Sequence, residues 1–168
     1  STEISPTLSD ISFSEDEMKR ALMALKTGSA PGPDGIPSIL FKKCSDVLAL
    51  PLTLILRQSL DSGEVPKQLK LARIIPLHKG GSRLKPSNYR PIALTCHIAK
   101  AFERVIKNAL LSHLESNDLL NPRQHGFRTG RSTLSQLVEH TEKILEGLED
   151  GGIVDVIYLD YAKAFDKV

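Results

Sequence analysis

The stretch IVDVIYLDYAKAFDKV, residues 153–168, decides how the rest of the chain is read. Its first seven residues, Ile153 to Leu159, are mostly β-branched or aliphatic and follow Gly151-Gly152, the composition of a buried strand. Asp160 falls where that strand should end. A carboxylate buried without a partner is costly, so an acid closing an apolar strand is expected to be paired, solvated or metal-bound. Hard oxygens at a strand end, with the chain then turning away, suit Mg²⁺, which takes one or two carboxylates together with substrate phosphates. That is the chemistry of phosphoryl or nucleotidyl transfer. The competing reading is structural, since an acid in this place often does no more than cap the next turn.

The surrounding 168 residues, 40% hydrophobic and 25% charged, are ordinary globular material for about one domain. No run approaches the 18 or more apolar residues of a membrane span, and the N-terminus lacks a basic-then-apolar signal pattern. The protein is expected inside the cell, with no membrane partner. Cys44 and Cys96 stand far apart without a C-x-x-C partner, and the histidines show no zinc-ligand spacing. Charge is informative only when divided along the chain. From Val65 to Arg131 there are thirteen Lys and Arg against Glu103, Glu115 and Asp118, a net of +10 that leaves −8 for the remainder. Such asymmetry suggests a basic face for a polyanion, against the plain alternative of a solvated surface.

Residues 1–14 are expected to be a disordered N-terminal segment. Ser14 and Glu17 then form an S-x-x-E capping box, with Phe13 able to staple onto Met18. Met18, Ala21, Leu22 and Leu25 recur at helical spacing, and Gly28 closes that helix. The loop PGPDGIP, residues 31–37, is too rich in Pro and Gly for a regular element, and its glycines allow another backbone to approach closely. Ser38 to Ser62 reads as helical, broken or restarted at Pro51, with Leu52, Ile55, Leu56 and Leu60 as its apolar stripe. Leu71 to His78 and Arg90 to Leu94 read as two short edge strands, given Pro76 and Pro91, joined by a flexible Gly-rich basic loop. Thr95 to Glu115 is a long helix with Ile98, Phe102, Val105, Ala109 and Leu110 inward and Lys100, Arg104 and Lys107 outward. A last helix carries Leu134, Leu137, Val138, Ile144, Leu145 and Leu148 as a core stripe. Ser132 is its expected cap, and Arg128 and Arg131 precede it, so cations and helix amides can meet one phosphate.

PGPDGIP (31–37), NYRPIAL (88–94), QHGFRTGRST (124–133) and YLDYAKAFDKV (158–168), in that order, closely resemble the fingers and first palm motif of reverse transcriptases from non-LTR, LINE-type retrotransposons. Group II intron reverse transcriptases share the layout. The resemblance runs from about Glu15 onward. It implies an α+β fragment of a right-hand polymerase: a helix-rich fingers region over 15–150 with a basic β-hairpin, then the start of the palm over 151–168. It also implies RNA-directed DNA synthesis on an RNA template, from a DNA primer or nicked target DNA, with deoxynucleoside triphosphates, in the nucleus and cytoplasm. The oligomeric state is left open.

The resemblance assigns residues as well. Asp160 matches the aspartate that helps hold two Mg²⁺ ions, and the backbone carbonyl of Tyr161 matches a second metal contact. Two such ions, about 3.5–4 Å apart, activate the primer hydroxyl and neutralise the leaving pyrophosphate. Phe165 matches the bulky residue under the incoming sugar that rejects a 2′-hydroxyl by clash, and Asp166 is then structural. Arg90 matches the triphosphate clamp, where a bidentate guanidinium meets developing charge. Lys79 is its expected partner, ahead of Arg83 and Lys85 on the same loop. Gly32, Asp34, Gly35, Gly126, Phe127, Arg128, Arg131, Ser132 and Thr133 match regions lying against the template. These 168 residues contain no Asp-Asp pair, so by themselves they are expected not to polymerise nucleotides. The alternative from another functional class is a non-catalytic nucleic-acid-binding or interaction module derived from such an enzyme.

Overall fold

A computed structural model describes residues 7–8, 10–149 and 151–161. Its elements are α1 (Glu15–Met23), α2 (Ser38–Lys43), α3 (Ser45–Ser62), β1 (Ala72–His78), β2 (Tyr89–Thr95), α4 (His97–Ser116) and α5 (Thr133–Glu149). The fold is therefore mixed, helices with one two-stranded antiparallel sheet. The chain divides into two compact units, Ser1–Leu119 and Leu120–Val168, so α5 groups with the segment that follows it.

In the first unit, α1 starts as its sequence requires. The Glu17 amide donates to Ser14 Oγ at 3.2 Å, and the Ser14 amide donates to Glu17 Oε2 at 2.7 Å, satisfying two donors that a helix start otherwise leaves open. The helix ends at Met23, and Gly28, with φ +78°, belongs to the turn beyond it. α1 packs on α3 and α4. Met18, Ala21 and Leu22 meet Leu52 and Leu56 from α3 and Ala101, Phe102 and Val105 from α4 in one core. Each fully buried Leu or Met contributes about 2 kcal/mol there. Ile11 and Phe13, in the segment expected to be disordered, pack onto the same core, and Arg57 donates to the Phe13 carbonyl at 2.8 Å.

Two expectations for α2 and α3 are corrected. The break falls at Cys44, and α3 runs through Pro51. Pro51 is exposed, so the carbonyl that loses its helical donor can turn to water. Ile55 is also exposed, because Leu52 and Leu56 with Ala49 and Thr53 define the buried face. On α4 the inward face is Ala101, Phe102 and Val105, while Leu110 is exposed.

β1 and β2 pair antiparallel from Ala72↔Thr95 to His78↔Tyr89. The Lys79 amide donates to the Asn88 carbonyl at 2.8 Å, extending the ladder by one hydrogen-bonded pair. Hydrogen-bonded and non-bonded pairs alternate, so Pro76↔Pro91 is a non-bonded pair. Both proline nitrogens therefore face outward, and each removes a donor from an exposed sheet edge, which discourages pairing with another strand. The expectation of edge strands holds. The connecting loop is shaped where flexibility was expected: Asn88 Nδ2 donates to Ser82 O at 2.8 Å, and Tyr89 Oη donates to Arg83 O at 3.0 Å.

The second unit is built on α5. Ser132 Oγ accepts from the Ser135 amide at 3.1 Å, and Ser135 Oγ accepts from the Ser132 amide at 2.9 Å, a reciprocal cap at the expected serine. The expected core stripe is not core: no α5 residue is buried, and Leu134 is 71% exposed. The expected strand 153–159 is not a strand, since the residues described there have no strand pairing. A strand is stabilised by a neighbour that takes up its backbone donors and acceptors, and the described part of this unit supplies none. The segment instead runs back along the helix. The Gly152 amide donates to Gly147 O at 3.1 Å, Val154 covers Gly147, and His140 Nε2 meets Tyr158 Oη at 2.8 Å.

Candidate nucleotide and nucleic-acid site

Side chains alternate between the faces of a strand, so the register places Arg73, Ile75, Leu77 and Lys79 on one face with Arg90, Ile92 and Leu94. Lys79 lies opposite Asn88 and therefore diagonal to Arg90, within reach of two long cationic side chains. Arg83 lines the other face, in an apolar depression with Ile74, Pro76, Leu84, Tyr89 and Pro91. Among the basic residues of the loop, Lys79 thus shares a face with Arg90 and Arg83 does not.

The 31–37 loop borders this hairpin. Arg73 donates to Pro31 O at 3.3 Å, which ties the loop to the base of the Arg90 face. Gly32 is buried against the chain between β2 and α4: a Cβ added there would lie 2.5 Å from the Cys96 amide nitrogen and 2.6 Å from its Cα. The close backbone approach expected of a glycine in this loop occurs here, and its partner is the protein's own chain. Pro33 and Asp34 occupy a turn closed by the Gly35 amide donating to Gly32 O at 3.1 Å. Asp34 Oδ1 accepts from the Ile36 amide at 3.3 Å. Pro33, Asp34, Gly35 and Pro37 are exposed.

Just behind it, His97 opens α4 with 1% of its surface exposed, edge-on to Phe41. No hydrogen-bond partner reaches its Nε2 among the described residues. Burial, with Lys100 adding repulsion, holds the imidazole below its ordinary pKa against the opposing pull of Asp34. Further along α4, Lys100, Arg104 and Lys107 form the outward basic stripe that the sequence suggested.

In the second unit, the 124–132 loop is held by His125, a residue the sequence reading passed over. His125 is 5% exposed, with Nδ1 2.8 Å from Ser135 Oγ and Nε2 2.9 Å from Glu139 Oε2. Nε2–H donates to the carboxylate, which can only accept. That nitrogen cannot also accept from Arg131, so Arg131 Nη1, 3.3 Å away, lies beside the ring without a hydrogen bond to it. Glu139 completes its pairing with Lys143 at 2.7 Å, and the Lys143 and His125 hydrogen bonds pull its pKa down to about 2. Glu139 is therefore occupied by His125 and Lys143. Arg128 donates instead to Asn121 O at 3.2 Å. Phe127 is 85% exposed with φ +62°, a left-handed conformation that costs a non-glycine residue roughly 1–2 kcal/mol. The only legible hint of the His125 node was a histidine in a polar loop with a glutamate 14 residues on.

Asp160 and Tyr161 are exposed, beyond the contact of Tyr158 with His140. Among the described residues no group of three His, Cys, Asp or Glu side chains is placed to hold a metal ion. An exposed carboxylate with hard oxygens fits Mg²⁺ as one ligand of several. Phe165 and Asp166 lie outside the described residues. No helix among the described residues is long and apolar enough to cross a membrane.

The reverse transcriptase (RNA-dependent DNA polymerase) family matches residues 77–168, more than half of the chain, and the chain belongs to that family. Its relatives come from transposable elements, as the resemblance to non-LTR enzymes implied. The probable RNA-directed DNA polymerase from transposon BS of Drosophila melanogaster is 33% identical over 154 residues, 91% of this chain and 17% of the relative. That from transposon X-element of the same species is 32% identical over 157 residues, 93% of this chain and 17% of the relative. A Pol polyprotein from a type-1 retrotransposable element R2 of Popillia japonica is 30% identical over 160 residues, 93% of this chain and 20% of the relative. The chain therefore spans about a sixth to a fifth of the length of these relatives.

Proposed function

We propose that this chain forms the fingers and the beginning of the palm of a right-hand polymerase that copies RNA into DNA, with residues 15–150 as fingers and 151–168 as the start of the palm. The observation that carries the reading is family membership across the motifs holding Arg90 and Asp160, supported by a hairpin register that sets Lys79 diagonal to Arg90. In this reading Arg90 and Lys79 grip the triphosphate of an incoming deoxynucleotide. A guanidinium fork meets two phosphate oxygens at once, and the ammonium adds a mobile second charge. Asp160, with the Tyr161 carbonyl, would hold Mg²⁺, which supplies an activated primer hydroxyl and charge neutralisation at the leaving pyrophosphate. Phe165 would exclude ribonucleotides by crowding the 2′ position.

Asp34, Gly35, Gly126, Phe127, Arg128, Arg131, Ser132 and Thr133 would lie along the RNA template, and the primer would be DNA or the end of a nicked target. The work would be done in the nucleus and cytoplasm. The test is RNA-templated primer extension by the full-length protein that contains this chain. D160N is expected to lower the rate about a thousandfold or more, the equivalent of several kcal/mol of lost charge stabilisation. An Asp160 variant that extends primers at the wild-type rate would overturn the assignment.

A further inference from the structure

Among the described residues of the second unit, His125 is the single buried side chain. The leucines of α5 are exposed, so no apolar core fixes the 124–132 loop against the helix. A polar node does so instead. His125 bonds to Ser135 and Glu139, Lys143 bonds to the same Glu139, and Ser135 bonds back to the Ser132 amide. A buried polar group gains most when every partner is in place, so this node favours one loop conformation strongly over its neighbours. That conformation is one a free loop would avoid, because it holds Phe127 left-handed and projects its ring into solvent.

We propose that His125 is a positioning residue for template binding: through Ser135 and Glu139 it fixes the loop so that Phe127 and Arg128 are presented to a single-stranded RNA. The proposal rests on the reverse transcriptase reading of this chain. His125 itself, buried beneath the loop, does not touch the RNA. Its contribution is to remove the ordering cost that a mobile loop would incur on binding.

The test measures binding of a fluorescein-labelled, unstructured RNA of about 20 nucleotides to the chain, together with amide hydrogen exchange. H125A is expected to weaken binding about tenfold, as for one lost hydrogen-bonded contact, and to speed exchange of residues 126–132 while leaving the β1–β2 hairpin protected. H125Q, which keeps a donor for Glu139, is expected to recover part of both effects. S135A, which removes the Nδ1 partner of His125 together with the acceptor of the Ser132 amide, should give the same pattern, and an unchanged helical circular dichroism signal guards against loss of fold in H125A. In a double-mutant cycle, H125A and R128A should be less than additive, because Arg128 contributes only from a fixed loop. Unchanged exchange of 126–132 in H125A, or full additivity with R128A, would overturn the positioning role. A wild-type chain that binds no RNA while its loop exchanges slowly would overturn the template reading itself and the purpose of the His125 node with it.

Discussion

Gly32 lies with its backbone against that of Cys96, so that a Cβ at position 32 would stand 2.5 Å from the Cys96 amide nitrogen and 2.7 Å from the Thr95 carbonyl carbon. Neither neighbour is a flexible side chain that could give way. G32A is therefore expected to destabilise the first unit by about 2–3 kcal/mol, the cost of forcing atoms into a packed site. Gly35, three residues on, has φ +69° and open space around its Cα, so G35A should cost only about 1 kcal/mol through backbone strain. Urea unfolding of the two variants checks the order, and equal losses would show that the close approach at Gly32 is not the controlling contact.

Arg90 and Lys79 share a hairpin face, and their roles are separable by substitution in the full-length protein. R90A is expected to raise the KM for deoxynucleotides roughly 10- to 100-fold, the scale of hydrogen bonds to a charged group. R90K should recover little of it, because a point charge cannot make a forked contact. K79A should have a smaller effect, and R83A the least of the three, since Arg83 lines the opposite face. Steady-state kinetics with R83A more impaired than K79A would reverse the assignment of the partner cation.

Phe127 combines an unfavourable backbone conformation with an almost fully exposed ring. F127G relieves the strain and loses no buried surface, so thermal unfolding should show unchanged or slightly raised stability, by up to about 1 kcal/mol. RNA affinity should fall in the same variant. A site that gains stability while losing binding is the expected signature of strain kept for function.

Two ionisable groups set separate pH windows for stability. His97 has a folded-state pKa below its ordinary value of 6.5, so the folded chain favours the neutral ring. Stability should be full above pH 6.5 and decline as the pH falls below it. H97L, which removes a buried nitrogen without a partner, should be near neutral at pH 8 and more stable than wild type at pH 5. Glu139 has its pKa lowered from 4.5 to about 2, so its contribution is present above pH 4.5 and is lost as the pH falls toward 2. E139Q should flatten that lower limb alone. Denaturant titrations from pH 8 to 2.5 resolve both windows.

Much of the first unit was legible because its signals are local. The Ser14–Glu17 box fixes the start of α1 through atoms three residues apart, and the prolines at 76 and 91 reveal a hairpin whose edges are closed to further strands. The stretch after α5 was less legible. Its β-branched composition is that of a strand, yet a strand forms only when another lies beside it, and composition carries no information about that neighbour. The exposed leucines of α5 fail for the same reason: an amphipathic pattern states which face is apolar, and burial depends on what meets it.

The residue pattern by itself determined the family, through motifs that name Arg90 and Asp160, and most of the helices and the hairpin. Tertiary structure alone decided that Gly32 is spent on Cys96 and that His125 claims Glu139, and it set Lys79, the expected partner, on the Arg90 face and Arg83 on the other. The first set rests on caps, prolines and side-chain period, which act between near neighbours in the chain. The second joins residues 11 to 64 positions apart, where chain folding chooses the partner and a polar or close-packed contact holds it.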